Sequence, residues 1–342
     1  MNINIVTVHA SGNYGSFLQA YALSKVTSEL YPTYIVEAGV RNIYKTVYLM
    51  CLKNFIKGII TGNFMYSAYY RTKYVTFRNN MKCLNRIPLK KTSGCFVFGS
   101  DEIWNLNRKE MSDFPILWGT SLNSQKRIAY APSLNGCSIE TLDKYGFCNE
   151  VRGFNALSAR DSYSCNTLSK IAGRNVEKVL DPTLLLSKDE YINNSKNIED
   201  KHYIALYLFH VDDELIDFLI EYKKKKNLLL LSIGNWYDWC DKCVVSENPF
   251  DYYINADYVI TNTFHGTAFA INLEKQFVSF SRSAKISELL DEFELLDRDV
   301  KGKSFSEIIK TLETPIQFNN VRKLLDEKRK LSRKYLFDSI ED

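Results

Sequence analysis

Short apolar runs rich in β-branched residues alternate along the whole chain with longer amphipathic stretches. Apolar runs bounded by turn residues are typical of buried parallel strands, and the stretches between them have the length and periodicity of helices. The pattern therefore predicts an α/β protein with parallel sheets. The predicted strands are Ile3–His9, Tyr34–Glu37, Cys95–Gly99, Arg127–Ala131, Asn155–Ala159, Tyr203–Phe209, Leu228–Ile233, Tyr258–Thr261 and Gln276–Phe280.

The chain has 342 residues, more than one hydrophobic core usually organises, and each half carries its own βαβ series. We therefore predict two Rossmann-like domains, over residues 1–178 and 179–320. The boundary is placed at VLDPTLLL, where Pro182 interrupts regular structure. Helices such as Asp212–Lys225 and Thr267–Leu273 separate the later strands. Residues 321–342 predict a helix rich in charged residues, and terminal helices of this kind often pack back across domains.

Several classes of protein are disfavoured by local composition. The first residues, MNINIVTVHA, predict a strand and lack the features of a signal peptide, so a cytoplasmic protein is expected. The longest apolar run, Val47–Leu52, ends at Lys53, far short of the roughly 20 residues of a membrane-spanning helix. The eight cysteines are scattered, and the C-x-x-C pair Cys240 and Cys243 has no second pair or neighbouring histidine, so no metal site is predicted.

Charge is unevenly distributed along the chain. Residues 38–100 hold 11 Lys/Arg and no Asp or Glu, which leaves 44 − 11 = 33 basic against 40 acidic residues elsewhere. Within this block, residues 41–91 interleave cations with aromatic and aliphatic residues and predict a helical excursion. It is interpreted either as a surface that lies on an anionic membrane or as helices packed on the domain with solvated cations. Nucleic acid is not favoured, because no recognisable nucleic-acid module accompanies the charge.

Ligands of doubly wound sheets bind at the carboxyl ends of the strands. The first such turn, GNYGSFLQAYAL, carries Asn13, Gly15 and Gln19 directly after the first strand. Its glycines allow close backbone approach, and the following helix offers free amides to an anion. Because the segment lacks G-x-G-x-x-G it is no dinucleotide fingerprint, and a plain tight turn is the alternative.

The second turn, FVFGSDEIWN, delivers Ser100, Asp101 and Glu102 to the same edge of the sheet. Neighbouring carboxylates there are candidates for a general acid or base, and helix capping with a solvated Glu102 is the alternative. In the third turn, Arg160 is placed to clamp a carboxylate or phosphate, or else to form an ion network with Asp161.

The fourth turn, VITNTFHGTAFAI, is the most informative. A buried strand ends in Asn262 and Thr263, and His265 and Gly266 then enter a helix of small residues that begins near Thr267. A helix N-terminus binds anions, and a histidine there is suited to donating to an anion or moving a proton. Two cations, Arg282 and Lys285, follow the next strand; they complete an anion pocket or are solvated helix charges.

Taken together, these segments resemble the polysaccharide pyruvyl transferase family. The resemblance runs in order from about Gly12 to Leu290, and the joint order of the motifs makes it specific. Some members carry an arginine two residues before the histidine, where this chain has Thr263. The motifs are GNYGSFLQAYAL, FVFGSDEIWN, RIAYAPS, SARDSYS, VLDPTLLL, VITNTFHGTAFAI and a later R-x-x-K-x-x-x-LL.

The resemblance implies a two-domain architecture similar to the glycosyltransferase-B fold, with the active site in the cleft between the domains. It implies phosphoenolpyruvate as co-substrate without a further cofactor. The acceptor would be a hexose in a bacterial surface glycan, either free or linked to polyprenyl diphosphate, and the product a cyclic pyruvate ketal. A lipid-linked acceptor would bring the enzyme to the inner face of the cell membrane, in keeping with the membrane interpretation of the basic block.

Ketal formation requires an acid, a base and several cations. His265 would contact the phosphate or shuttle the proton, while Asp101 or Glu102 would act as base or acid. Substrate contacts are expected from polar side chains, cations and glycine amides at the same strand ends. These residues are Asn13, Gly15, Gln19, Ser100, Arg160, Asn262, Thr263, Gly266, Thr267, Arg282 and Lys285.

Two other functions remain open at this point. A nucleotide-sugar-dependent glycosyltransferase of the same architecture would hold a sugar diphosphate by the same helix ends. A non-catalytic subunit of a glycan-assembly complex would bind the donor without turnover, an interpretation that Thr263 keeps open.

Overall fold

A computed structural model describes residues 1–37, 40–122, 125–192 and 202–342, with the backbone alone at 40–43. The described chain forms two compact units. Unit 1 comprises Met1–Thr46, Asn80–Leu186 and Glu327–Asp342, and unit 2 comprises Val47–Asn79 and Ser187–Asp326.

Unit 1 is built on a sheet of seven parallel strands in the order β3-β2-β1-β4-β5-β6-β7. The central strands are short apolar segments buried along their length, as expected for a parallel sheet covered on both faces. The strands are β1 (Ile3–Val6), β2 (Thr33–Glu37), β3 (Arg86–Pro88), β4 (Cys95–Phe98), β5 (Lys126–Ala129), β6 (Ala156–Ala159) and β7 (Glu177–Lys178).

Helices follow most of these strands, and polar side chains cap them. Asn13 caps α1 (Tyr14–Thr27), and Asp161 caps α7 (Ser162–Ala172), which ends at Gly173 in the left-handed conformation. The other helices of this unit are α4 (Lys109–Ser112), α5 (Ile139–Lys144) and α6 (Phe147–Arg152). An aromatic core in which Trp104 packs edge-on against Phe147 and Phe154 fills the space between helices and sheet.

Unit 2 is built on a second parallel sheet, of five strands in the order β10-β9-β8-β11-β12. The strands are β8 (Tyr203–Tyr207), β9 (Leu229–Ile233), β10 (Lys242–Val244), β11 (Tyr258–Thr261) and β12 (Phe277–Ser279). The helices after α7 are α8 (Lys188–Ile192), α9 (Asp213–Lys226), α10 (Phe250–Ile254), α11 (Phe264–Asn272), α12 (Ala284–Glu292), α13 (Phe305–Glu313) and α14 (Phe318–Glu341).

The basic aromatic segment forms two long helices, α2 (Val40–Ile60) and α3 (Phe64–Lys82). The sequence grouped this excursion with the N-terminal domain, whereas the structure groups Val47–Asn79 with unit 2. The reason is the packing of α3 on the loop after β9. The rings of Tyr66 and Tyr69 lie 5.3 and 5.4 Å from that of Trp236, and Lys73 Nζ donates to the Gly234 carbonyl over 2.6 Å.

The predicted fold class is confirmed: both sheets are parallel and alternate with helices. All nine predicted strands are present, with ends that differ by a few residues. Three further strands, β3, β7 and β10, were not predicted. Among the helices that the structure describes, none has both the length and the apolar character needed to cross a membrane.

Candidate functional site

The order of the strands in unit 1 creates a switch point between β1 and β4, from which the chain winds in both directions. Open α/β sheets bind ligands at the carboxyl ends of the strands at such a point. Two predicted segments meet there: Ser16, from the start of α1, donates through Oγ to Asp101 Oδ2 after β4 over 2.9 Å. The structure thus brings the first and second predicted turns together.

Asp101 accepts hydrogen bonds on both carboxylate oxygens at this edge of the sheet. Its Oδ1 accepts from the Glu102 amide at 2.9 Å and from Arg160 at 3.3 Å, while Oδ2 accepts from Ser16. Donors on both oxygens favour the ionised form. The side chain stays 20% exposed, and its residue adopts φ 69°, a left-handed conformation tolerated by aspartate.

Gly99 fixes how the chain enters this turn. It has φ 128°, and a Cβ at this position would lie 1.9 Å from the Tyr130 carbonyl oxygen. A side chain at residue 99 would therefore displace the strand end that presents Asp101.

Arg160 lies behind Asp101 and is closed to solvent. Its side chain is 1% exposed and donates to Asp181 Oδ2 over 2.5 Å. Burial works against the charge, but the carboxylates of Asp181 and Asp101 outweigh burial and raise the pKa of Arg160 above its ordinary range. The predicted alternative pairing with Asp161 is not what the structure shows, because Asp161 caps α7 by accepting from the Ser164 amide at 2.8 Å.

Two other predicted residues of unit 1 hold the frame of the site. Gln19 Oε1 accepts from the Ser100 amide at 3.0 Å, and Gln19 Nε2 donates to the Val8 carbonyl at 2.9 Å. The Ser100 hydroxyl donates to Asp181 at 2.8 Å. Gln19 and Ser100 are fully buried, so in this arrangement they tie β1, α1 and β4 together.

Glu102 points to different partners from Asp101. Its Oε2 accepts from Asn105 at 3.2 Å and from Asn135 at 3.1 Å, and Arg108 lies 3.8 Å away. The two neighbouring carboxylates thus have different surroundings. Asp101 is paired with a buried arginine, whereas Glu102 accepts from two asparagine amides and lies near the exposed Arg108.

Unit 2 repeats the arrangement at a switch point between β8 and β11. Asn262, after β11, accepts from the Phe209 amide at 2.9 Å and donates to the Phe209 carbonyl at 2.7 Å. Arg282 NH1 also donates to that carbonyl, at 3.0 Å. Asn262 of the fourth turn and Arg282 therefore converge on the Phe209 carbonyl. Lys285 lies half-buried in the first turn of α12.

Helix α11 begins earlier than predicted, at Phe264, and Thr263 is its N-cap. His265 consequently lies within the first helical turn, is 9% exposed, and has the Phe264 and Phe269 rings at 5.5 and 6.2 Å. Thr267 is fully buried and bonds Ser279 at 2.8 Å, which joins α11 to β12.

The two glycine amides predicted to bind an anion are already hydrogen-bonded. The Gly15 amide donates to Asn13 Oδ1 at 2.8 Å, and the Gly266 amide donates to Thr263 Oγ1 at 2.9 Å. Each cap satisfies a donor that the helix leaves unpaired. An anion would have to replace the cap oxygen, so other donors near these caps are better placed to hold it.

Residues 13–284 match the family model described as polysaccharide pyruvyl transferase. The chain belongs to the polysaccharide pyruvyl transferase family. As a pyruvyl transferase it is an enzyme of polysaccharide biosynthesis, and the resemblance stated from the sequence is confirmed. No curated protein matches it significantly.

Solved structures share the fold of this pyruvyl transferase at low sequence identity. A UDP-GlcNAc 2-epimerase from Neisseria meningitidis, bound to UDP-GlcNAc, has a TM-score of 0.54 and 11% identity and covers 99% of this chain and 100% of its own. The epimerase from Rickettsia bellii has a TM-score of 0.52 and 10% identity, with 99% and 96% covered. An alpha-glucosyltransferase in complex with UDP has a TM-score of 0.51 and 8% identity, with 98% and 95% covered. These neighbours confirm the glycosyltransferase-B-like fold class.

Two residues of the pyruvyl transferase that the sequence did not single out stand beside the predicted ones. Asp181 is fully buried and pairs with Arg160. The sequence feature that could have identified it is an aspartate immediately before a proline, at the start of a short helix over Pro182–Leu184. His9 is 1% exposed after β1, and its Nδ1 lies 3.2 Å from the Thr7 carbonyl. Its Nε2 has no hydrogen-bond partner among the residues that the structure describes.

Proposed function

We propose that this pyruvyl transferase moves the enolpyruvyl group of phosphoenolpyruvate onto two hydroxyls of a hexose in a bacterial surface polysaccharide precursor. The products are a cyclic pyruvate ketal and phosphate. The observation that carries the proposal is the convergence of Asn262 and Arg282 on the Phe209 carbonyl, beside the helix turn that holds His265. A cation and a histidine beside a helix N-terminus suit a small donor that carries a carboxylate and a phosphate.

The reaction balances without a further co-reactant. The methylene carbon of the donor gains a proton and becomes a methyl group, and a sugar hydroxyl oxygen bonds to C2. The bond between C2 and the phosphate oxygen then breaks, and a second hydroxyl closes the ketal. The two hydroxyls lose two protons. One equals the proton added to the methylene carbon, and the other ends on the released phosphate.

In this proposal unit 2 binds the donor. Arg282 is exposed, unlike Arg160, and its contact with Phe209 places the guanidinium next to the Asn262–Thr263 turn. It supplies positive charge at the turn where some family members carry arginine in place of Thr263. Lys285 lies three residues further on, and His265 donates to the phosphate or carries the proton.

Asp101 is the base that takes a proton from the attacking hydroxyl. Three donors favour its carboxylate form, and the side chain keeps enough exposure to meet a substrate. Arg160, buried behind it and already neutralised by two carboxylates, positions Asp101 rather than serving as a free anion clamp. Glu102 lies among amides and is assigned no proton transfer.

The test is incubation with phosphoenolpyruvate and a panel of free and polyprenyl-diphosphate-linked hexose glycans. Phosphate release together with a product that gains one acidic pyruvyl group supports the proposal. A product that instead gains a sugar from a nucleotide-sugar donor would identify a glycosyltransferase, and donor binding without turnover would identify a non-catalytic subunit.

His265→Ala and His265→Gln should abolish most of this turnover while the protein remains folded. The matched control is His202→Ala, because the His202 side chain is 81% exposed. Full turnover in both His265 variants would remove the histidine from the mechanism.

A further inference from the structure

Exposed apolar side chains are concentrated on the helical hairpin formed by α2 and α3. Ten of the eighteen large hydrophobic side chains exposed in the described chain lie between Tyr48 and Val75. A soluble protein usually scatters such side chains singly over its surface. A cluster of this size on one hairpin indicates a binding surface.

The exposed positions on α2 follow the helical period. Leu49, Leu52, Ile56 and Ile59 are spaced by three, four and three residues and are all exposed, so they form one stripe. The opposite side of the helix carries the buried Val47, Cys51 and Gly58. The apolar stripe is thus additional to the face by which α2 packs.

Helix α3 likewise has one packed face and one exposed face. Tyr66, Tyr69 and Lys73 point to the loop after β9, as described above. The outer face is exposed and changes along the helix from apolar residues to cations. Its residues, spaced by four, three, four and three, are Phe64, Ala68, Arg71, Val75 and Arg78.

A groove of about 560 Å³ runs along the hairpin. Phe55 and Ile59 line it from α2, and Phe64, Arg71 and Val75 line it from α3. The groove is therefore largely apolar and has a guanidinium at its edge, a combination that suits an acyl chain and its anionic headgroup.

The turn between the helices carries the most exposed apolar side chains. Ile60 is 78% exposed, Phe64 72% and Met65 73%. Lys57 and Lys53 stand about one and two helical turns back from this tip and are also exposed. An apolar tip followed by a ring of cations matches the change from acyl chains to anionic headgroups across a membrane interface.

We propose that the outer face of this hairpin docks on an anionic lipid bilayer, with Ile60, Phe64 and Met65 inserted and the cations at headgroup level. Residues 38–100 contain no Asp or Glu, so the hairpin itself carries no acidic side chain that the lipid charge would repel. The inner face stays fixed to Trp236 and Gly234, so docking requires no unfolding of the hairpin. The inference does not rest on the proposed function.

The experiment is flotation of the full chain with two kinds of vesicle, phosphatidylcholine alone and phosphatidylcholine mixed with phosphatidylglycerol. The assay contains no donor and no acceptor, so a negative result leaves pyruvyl transfer untouched. The protein should float with the anionic vesicles and at least about tenfold less with the neutral ones, given several cations near the surface.

Two double variants test the charge and the apolar tip separately. Lys53→Gln with Lys57→Gln should weaken partitioning about twenty-five-fold, because each cation near an anionic leaflet contributes about fivefold. Ile60→Ser with Phe64→Ser should weaken it by about tenfold or more. The matched controls are Lys224→Gln with Lys225→Gln and Leu296→Ser with Leu331→Ser, which change exposed residues outside the hairpin and should alter partitioning less than about twofold.

The proposal is overturned if the unaltered protein stays with the unbound fraction, or if it floats equally with both kinds of vesicle. It is also overturned if a control pair weakens binding as much as the corresponding hairpin pair. Sensitivity to the lysine pair together with indifference to Ile60→Ser/Phe64→Ser would show adsorption by charge alone and would overturn the insertion of the apolar tip. Circular dichroism of each variant separates lost binding from lost folding.

Discussion

Arg160 and Asp181 form an ion pair of 2.5 Å in which the two side chains are 1% and 0% exposed. Arg160 follows β6, and Asp181 precedes the short helix over Pro182–Leu184. The same arginine reaches Asp101 at the switch point of the sheet. The ion pair therefore ties the candidate base Asp101 to the segment at Asp181, eighty residues further along the chain. The guanidinium of Arg160 stays buried in this arrangement.

Replacing Asp181 should destabilise unit 1. Asp181→Asn would leave Arg160 buried with only Asp101 to balance it, which should lower the free energy of unfolding by about 3 kcal/mol. Chemical denaturation measures this change. Asp297→Asn is the control: Asp297 also pairs with a buried arginine, Arg298, but is itself 61% exposed and should change stability little. Equal effects of the two substitutions would show that burial of the Arg160 pair is not decisive.

Asp101 and Glu102 can be distinguished by kinetics. Asp101→Asn should lower kcat on the order of a hundredfold or more and leave KM for phosphoenolpyruvate almost unchanged, because the amide keeps the shape but cannot take a proton. Glu102→Gln should lower kcat by less than about tenfold, since Glu102 lies among Asn105, Asn135 and Arg108. A large effect of Glu102→Gln beside a small effect of Asp101→Asn would reverse the assignment.

Arg282 should act on donor binding. Arg282→Gln removes the exposed cation beside the Asn262–Thr263 turn, and we expect KM for phosphoenolpyruvate to rise on the order of tenfold or more. Arg282→Lys should restore part of the affinity through charge alone. The control is Arg322→Gln, an exposed arginine of the same unit that pairs with Glu274. An unchanged KM in Arg282→Gln would place the donor elsewhere.

Most of the fold could be predicted because the central strands are buried on both faces and read as continuous apolar runs. Strands such as Tyr203–Tyr207 are buried at every position, so their signal does not depend on neighbours. The strands that were missed are Arg86–Pro88, Glu177–Lys178 and Lys242–Val244. Each lies at the edge of its sheet and has two or three residues, mostly polar or exposed, so only tertiary pairing defines it.

The position of the candidate site at the strand ends could be predicted from the sequence, but the hydrogen bonds within it could not. Switch-point topology brings strand ends together, so the positions of Asp101 and Asn262 at such ends could be predicted. Which donor meets which acceptor depends on side-chain geometry that no spacing encodes. The Gly15 and Gly266 amides are capped by Asn13 and Thr263 for this reason.

The buried His9 should make the free energy of unfolding depend on pH. Burial is the main cause that lowers the pKa of this histidine to about 4, and the charge of Arg86 adds to it, against the hydrogen bond to the Thr7 carbonyl. In the unfolded chain the pKa would be about 6.5. Between these values the unfolded chain binds a proton that the folded chain does not, so stability is complete above pH 6.5 and falls as the pH falls. The loss should reach about 3 kcal/mol near pH 4.

His9→Gln has no such proton to bind and should flatten this part of the pH profile of unfolding, measured by urea denaturation at a series of pH values. Its stability near pH 7 should be lower than that of the unaltered protein, because the new side chain must fit a closed site. His202→Gln is the control, since that side chain is 81% exposed, and it should leave the slope between pH 4 and 6.5 in place. An equal slope in the His9 variant would mean that carboxylates alone set the acid sensitivity of the protein.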